Sequence, residues 1–445
     1  MKWPREVLTL LNELEQAGFE AWAVGGCVRD RLLGRTPADW DLCTNARPED
    51  LRRIFAGRPL VLTGVKHGTV GVAAGGGVYE ITTYRTEKDY RDRRHPSQVH
   101  FVDRLEEDLA RRDFTVNAMA CHPRRGLRDP FGGRADLRGQ QIRCVGDAKT
   151  RFSEDALRIL RGLRLAAQLD FSIEDETLAA MTACRSLLTR ISAERLYGEL
   201  TRLLCGPAAG RVLAGCGDIL VPVIPELAPC IGLEQHSIHH DRDVYGHMAA
   251  AVAFAPADPN VRWAAFLHDV GKPGCLSLDA EGAGHFYGHN ERGAQLVQKI
   301  LTRLHAPKSR IARVSQLVRM HDMALPATPQ GVRRWLRRLD ETGLMQLAAL
   351  RRADLTAHAC TPWVKQRLAQ LDAFVETARA QLAAGACYRL DMLAVNGRDV
   401  IEAGAVPGPE VGRVLNALLD SVIDGEVPNE RDALLQRAAY LAHLL

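Results

Sequence analysis

The chain has 445 residues, a net charge of only +4, 46% hydrophobic and 25% charged residues, values that describe about two to four ordinary globular domains. No apolar run reaches the ~18 residues of a membrane span, so none is expected, and any nucleic-acid surface must come from clustered arginines and not from a global excess. Eleven scattered cysteines with no C-x-x-C pair argue for reduced thiols in a cytoplasm, against a disulfide framework and against a zinc ribbon.

In chain order, MKWPREVLTLLNELEQAGFE has an amphipathic helical pattern and no signal-peptide core. Ala21 to Leu42, AWAVGGCVRDRLLGRTPADWDL, reads as a strand, a glycine turn at Gly25-Gly26, a helix over Cys27–Leu33 ended by Gly34, and a second strand. Paired glycines let backbone approach a ligand closely, and a helix start with Arg29 in its first turn suits an anion. Asp39 and Asp41 are two apart, so on a strand both carboxylates leave one face, about 7 Å apart at the backbone. Their mutual repulsion suits a divalent cation with open positions for phosphate. The local chemistry is phosphate plus metal.

Arg47–Arg58 reads as a helix capped near Asn45, and residues 60–83 as a meander of short strands with glycine turns at 64, 68 and 75–77. Glu80 lies mid-strand, either as a third metal-site acid or on an exposed face. Arg85 to Phe101 is a charge run of loop character. LEEDLARRDFTVNAMA reads as a helix delivering Arg111, Arg112, Asp113 and Asn117 to one place, and adjacent arginines suit a triphosphate. After the turn DPFGGRADL, strand signals give way to helices. One helix starts at Ser153-Glu154-Asp155 and places Asp155, Arg158, Arg161 and Arg164 on one broad face, either as a solvated stripe or as a base-reading edge.

Taken together, GGCVRD, DWD, RRDFTVNA, EDALRILRGLR and ISAERLYGELTRLL resemble, in order and spacing, the bacterial-type (class II) CCA-adding enzymes, the tRNA nucleotidyltransferases. The resemblance implies that Asp39 and Asp41 are catalytic and bind two Mg²⁺ ions. Gly26, Arg29 and Arg112 would hold the nucleotide, Asp155 and Arg158 would pair with the incoming base, and Arg161 and Arg164 would complete the pocket. Residues 85–96 fall where the family keeps a mobile loop needed for the final A. The reaction implied is untemplated addition of C-C-A to tRNA from CTP and ATP. The same head chemistry leaves a poly(A) polymerase as an alternative.

From about Pro222 the character changes again. His268-Asp269 ends an apolar helix, WAAFLHDVGK, where an unpaired His and Asp are costly to bury. With His247 upstream and Asp354 downstream, the pattern resembles the HD-domain metal phosphohydrolases, which implies His247, His268, Asp269 and Asp354 as ligands of a divalent metal. His289 and His321 would add a second. An HD phosphohydrolase with a head that only binds RNA is therefore a further alternative. GVRRWLRRL (331–339) pairs arginines with Trp335 in a pattern compatible either with RNA contact or with an amphipathic surface helix. VNGRD and PGPEVGRVLNALL resemble the family's C-terminal tRNA-binding region.

The fold expected is an α/β nucleotidyltransferase head of polymerase-beta type with a mixed or antiparallel sheet, followed by helical parts. The expected domains are a head at 1–145, a neck at 146–225, an HD domain at 226–360 and a tail at 361–445. The expected partners are tRNA, CTP and ATP, with a second copy of the chain also carried as a candidate.

Overall fold

The computed structural model describes residues 3–88, 98–237 and 241–444. Contacts divide the chain into two units, 1–228 with 303–305, and 229–302 with 306–445.

In the first unit, α1 (Arg5–Gln16) buries Val7, Leu10, Leu11 and Leu14, the stripe a 3.6-residue period dictates. β1 (Ala21–Val24) is buried at all four positions and runs into Gly25 and α2 (Gly26–Leu32). β2 (Asp41–Thr44) returns antiparallel to β1 with Asp41 opposite Val24. α3 (Pro48–Ile54) starts later than expected, with Asp50 accepting from Arg47 N. β3 (Leu60–Val61), β4 (Thr69–Ala74) and β5 (Gly77–Thr83) form the antiparallel meander, and β5 lies parallel to β2.

β6 (Arg85–Lys88) and β7 (Gln98–Phe101) pair with each other. The expected mobile loop of 85–96 falls, from residue 89 onward, outside the described residues. After α4 (Leu105–Ala110) come β8 (Ala120–His122) and β9 (Gly126–Arg128), giving a seven-stranded mixed sheet of order β3-β4-β5-β2-β1-β8-β9. β1 and β2, which carry the motif residues, are therefore central strands. Their register is held on both sides by buried partners. Trp22, Val24, Cys43, Tyr84, Leu105, Leu109 and Ala120 pack together beneath them.

Helices follow: α5 (Gly133–Arg138), α6 (Ala148–Glu154), α7 (Leu157–Leu169), α8 (Asp175–Cys184), α9 (Ala193–Leu204), α10 (Ala209–Ala214) and α11 (Gly217–Leu220), with one small parallel pair, β10 (Gln141–Ile142) and β11 (Ser172–Ile173). The expected single helix from 153 is in fact two. Asp155 stands in the break with φ −138°, and its carboxylate accepts from Leu157 N, because Asp favours capping over a helix interior. Gly162 lies inside α7 where a Cβ would come 2.3 Å from Met181 Cε, so glycine here permits close packing and not a turn.

The second unit holds α12 (Val244–Phe254), α13 (Pro259–Leu267), the hairpin of β12 (Ser277–Leu278) and β13 (Gly284–His285), α14 (His289–Arg303), α15 (Lys308–Met320), α16 (Pro329–Ala357) and α17 (Pro362–Ala383). α16 is broken at Asp340, which has φ +61° and caps the second half by accepting from Gly343 N. α18 (Gly397–Glu402), α19 (Pro409–Asp424) and α20 (Arg431–Leu444) share a core that includes Val400, Val414, Leu418 and Leu434. Trp335 is buried, and Arg334 and Arg337 are ion-paired to Asp424 and Asp420 of α19. That segment therefore serves packing, and its ring is not offered to RNA. Among the described residues no helix is long and apolar enough to cross a membrane.

Candidate active site and metal centre

β1 delivers the chain to Gly25, whose φ of +80° is costly for any residue with a Cβ. A Cβ there would also come 3.2 Å from Arg112 Nη1, so the turn and the arginine approach each other because the side chain is missing. Arg29, in the first turn of α2, is held on two sides: Nε donates to Asp30 Oδ1 at 2.8 Å and Nη1 to Asn117 Oδ1 at 2.8 Å. Arg112 is oriented by Asp108, a fully buried carboxylate that also pairs with Arg111. Burial alone would raise the Asp108 carboxyl, but Arg111 and Arg112 reverse this and hold it below its ordinary range.

β2 begins at Asp41, so Asp39 lies in the preceding loop and is exposed. The expectation that both acids leave one strand face is corrected to this extent. Asp41 nevertheless senses its neighbours. Burial, then Asp39, push its carboxyl up to about 6, with Glu80 adding to the rise and Arg112 opposing it. Glu80, on the neighbouring strand β5 and exposed, thus stands within electrostatic reach of the acid pair. Two further carboxylates thus raise the Asp41 carboxyl, and a divalent cation is the chemistry that relieves such repulsion.

On α7, Arg161 contacts Asp113 Oδ2 from both Nε (2.7 Å) and Nη2 (2.6 Å). Asp113 Oδ1 accepts from Asn117 Nδ2 at 3.4 Å, and Asn117 holds Arg29. A polar relay therefore runs Arg29–Asn117–Asp113–Arg161, from the glycine turn to the helix that carries Arg158 and Arg164. Arg158 is nearly buried and donates to Glu154 Oε2 (2.7 Å) and to the carbonyls of Arg151 and Arg111. Asp155 is paired instead with Arg195 of α9, Nη2 to Oδ2 at 3.0 Å. Arg164 is held by Glu199 at 2.6 Å. The structure gathers Gly26, Arg29, Arg112, Asp39 and Asp41 around one turn, and Asp155, Arg158, Arg161 and Arg164 on and beside α7.

Sequence reasoning missed the supporting acids Asp108, Glu154 and Glu199, and the arginine Arg195. Their partners are 3 to 40 residues away, and only the 3- and 4-residue spacings carry a helical signal.

In the second unit, His247 of α12, His268 at the end of α13 and Asp354 of α16 form one buried triad, and Asp269, His289 and His321 form another. The four residues expected as one ligand set lie together, since Asp269 Oδ2 also comes 3.8 Å from His247 Nε2 and Asp354 Oδ1 lies 2.9 and 3.5 Å from His247 and His268 Nε2. Asp269 stands between them: Oδ2 lies 3.2 Å from His268 Nε2, and Oδ1 lies 3.6 and 3.8 Å from His289 and His321 Nε2. His268, His289 and His321 each donate from Nδ1 to the carbonyl three residues earlier, at 2.7–2.9 Å. That leaves each Nε2 facing the cluster, the arrangement in which backbone fixes the ligating tautomer.

His289 and His321 Nε2 are 3.4 Å apart, and the buried His268 Nε2 lies between Asp269 Oδ2 at 3.2 Å and Asp354 Oδ1 at 3.5 Å. A cation is what such converging imidazole nitrogens and carboxylates suit. Lys272, unassigned in the sequence, places Nζ 2.6 Å from Asp269 Oδ2 and 2.7 Å from Gln235 Oε1. His358 was also missed. Its ring lies 4.8 Å from that of His247, and Nδ1 donates to the Asp354 carbonyl, an i, i+4 relation on α16 that could have revealed it.

Residues 21–143 match the poly A polymerase head domain, 170–230 the probable RNA and SrmB-binding site of polymerase A, and 293–438 the putative tRNA nucleotidyltransferase domain 2. The CCA-adding enzyme of Geobacillus stearothermophilus is 35% identical over 441 residues, 98% of this chain and 96% of that protein. That of Levilactobacillus brevis is 34% identical over 426 residues, 96% and 95%. The crystal structure of the Bacillus stearothermophilus CCA-adding enzyme in complex with CTP superposes with a TM-score of 0.76 at 31% identity, covering 100% of this chain and 98% of that one.

Proposed function

The chain belongs to the CCA-adding enzyme family, and from that premise we propose that it extends tRNA 3′ ends with C, C and A, drawing on CTP and ATP without a nucleic-acid template, in the cytoplasm. The relay Arg29–Asn117–Asp113–Arg161 carries this reading, because it joins a phosphate-binding turn to a side-chain surface fit to read a base. Asp39 and Asp41 would hold two Mg²⁺ ions, which when bound lower the pKa of the tRNA 3′-hydroxyl and neutralise the departing pyrophosphate.

The chain's own residues do the rest. Gly26 gives backbone access, and Arg29 and Arg112, each held by a carboxylate partner, grip phosphate oxygens in fixed orientation. Asp155 and Arg158 present an acceptor and donors to the base, positioned by Arg195 and Glu154. A site built to satisfy C and A leaves unpaired groups against U or G. Arg161 and Arg164 complete the pocket. In this reading 1–145 is the head, 146–225 the neck and 361–445 the tRNA-gripping tail.

Presenting tRNA that lacks C-C-A with CTP alone, ATP alone and both tests this reading. Two residues gained with CTP and a third only when ATP is added is the expected pattern. Runs of A on any RNA would instead favour a poly(A) polymerase.

A second reading concerns 226–360. The convergence of His268, His289 and His321 Nε2 on Asp269, and of His247 and His268 Nε2 on Asp354, supports an HD-type centre that holds a divalent metal through His247, His268, Asp269 and Asp354. The metal would activate water for hydrolysis of phosphomonoesters or 2′,3′-cyclic phosphates at RNA ends. His268→Ala with Asp269→Ala should abolish phosphodiesterase activity and leave nucleotide addition unchanged. Unchanged phosphodiesterase activity in that variant would refute the hydrolytic reading.

A further inference from the structure

Trp3, ahead of α1, packs against the loop that carries Asp39. Trp3 precedes α1, and its ring lies 5.2 Å from that of Trp40 at an interplanar angle of 43°. The Arg31 guanidinium sits over both rings, 5.0 Å from the Trp3 centroid and 5.2 Å from that of Trp40. Three separate elements meet here. Trp3 belongs to the N-terminal segment, Arg31 to α2 two residues beyond Arg29, and Trp40 stands between Asp39 and Asp41.

The β1–β2 ladder pairs Val24 with Asp41 and goes no further, so Asp39 and Trp40 approach the site outside the sheet. Backbone pairing fixes Asp41 but does not reach Asp39. The ring contacts supply what the ladder lacks. A cation held between two indoles is a directional contact, and it ties the loop bearing Asp39 to the helix bearing Arg29.

We propose that Trp3 and Arg31 are positioning residues for the acid pair, forming with Trp40 a clasp that sets the spacing of Asp39 and Asp41 and their register to Arg29. The clasp rests on the reading of Asp39 and Asp41 as metal ligands. It adds that the affinity of the pair depends on a residue at the N-terminal end of the chain that touches neither nucleotide nor ion. Removing the Trp3 ring loosens the Asp39 loop without disturbing β2, so metal affinity falls while the fold holds.

Terbium luminescence provides the direct test, since a lanthanide at the acid pair lies beside Trp40 and is sensitised by it. In full-length protein, excitation of tryptophan should give Tb³⁺ emission that Asp39→Ala with Asp41→Ala removes in large part. Trp3→Ala should weaken that Asp-dependent Tb³⁺ affinity about three- to tenfold, the scale of losing one aromatic and cation–π contact. It should raise the Mg²⁺ concentration for half-maximal CTP incorporation by a similar factor and leave the melting temperature unchanged. Trp3→Phe should restore most of the affinity, whereas Trp3→Leu, which keeps bulk without a ring face, should not.

Wild-type Tb³⁺ affinity and Mg²⁺ dependence in Trp3→Ala would overturn the clasp and leave the acid pair's role standing. Emission that survives loss of both aspartates would refute the acid pair as ligands, and the clasp would fall with it.

Discussion

Arg161 closes on a single oxygen of Asp113, Oδ2, from Nε at 2.7 Å and from Nη2 at 2.6 Å. The other oxygen accepts from Phe114 N at 2.9 Å and Asn117 Nδ2 at 3.4 Å. Neither residue is near the other in sequence, yet the pair joins the motif that ends at Asn117 to the helix that begins at Leu157.

This pair makes acid stability measurable. Burial would raise the Asp113 carboxyl, but Arg161 and Arg158 outweigh it and hold it at about 2, below its ordinary 3.8. A folded-state pKa below the unfolded one stabilises above the unfolded value, and the benefit is lost as pH falls from about 4 through about 2. Asp113→Asn should therefore cost about 2 kcal/mol at neutral pH and flatten the loss of stability below pH 4. Urea midpoints across pH 2–7 check it; identical pH profiles for the two proteins would contradict it.

Arg195 holds Asp155 by one contact at 3.0 Å. Arg195→Ala should leave triphosphate binding intact while freeing the Asp155 carboxylate, so discrimination between CTP and UTP falls roughly tenfold. Asp155→Ala should lower kcat/KM for CTP and ATP together by a larger factor. Single-turnover incorporation with each nucleotide distinguishes these from a general loss of fold.

Among the cysteines, burial pushes the Cys27 thiol up to about 12, and its Sγ donates to Val24 O at 3.3 Å. Cys360 is exposed. Since the thiolate is the reactive form, alkylation at pH 8 should label Cys360 first and spare Cys27 until the protein unfolds. Peptide mapping by mass spectrometry reads the order.

Metal removal should act on the second unit. A ligand bound only by the folded state stabilises it by about 2.7 kcal/mol at a hundredfold excess over Kd. A transition-metal ion added to chelator-treated protein should raise the melting temperature, and His268→Ala should abolish that shift. Asp39→Ala should retain it. A shift that survives loss of His268 would argue against the centre described.

Much of this architecture was legible from residue order. The glycine turn after β1 and the helix behind it sit where their local patterns place them, because short-range rules of turn chemistry and helix periodicity govern them. What escaped is non-local or depends on breaks. The helix break at Asp155 was hidden because the i, i+3 spacing of Asp155, Arg158 and Arg161 continues through it. The start of β2 at Asp41 was not visible either, since the ladder is set by Val24 across the sheet. The grouping of the histidines around Asp269 and Asp354 depends on five helices meeting, and spacing along one chain does not encode which imidazole faces which carboxylate. From sequence, Trp335 and its arginine neighbours fit RNA contact or an amphipathic surface helix equally, and burial of the ring decides for packing.

The central claim is that Asp39 and Asp41, and not the histidine centre, carry nucleotide transfer. The most direct measurement is the product length on tRNA lacking its last three residues, resolved to single nucleotides, with CTP and ATP present. Wild type and His268→Ala should both give the three-residue extension, and Asp41→Ala should give none. Full extension by Asp41→Ala, or its loss in His268→Ala, would contradict the account.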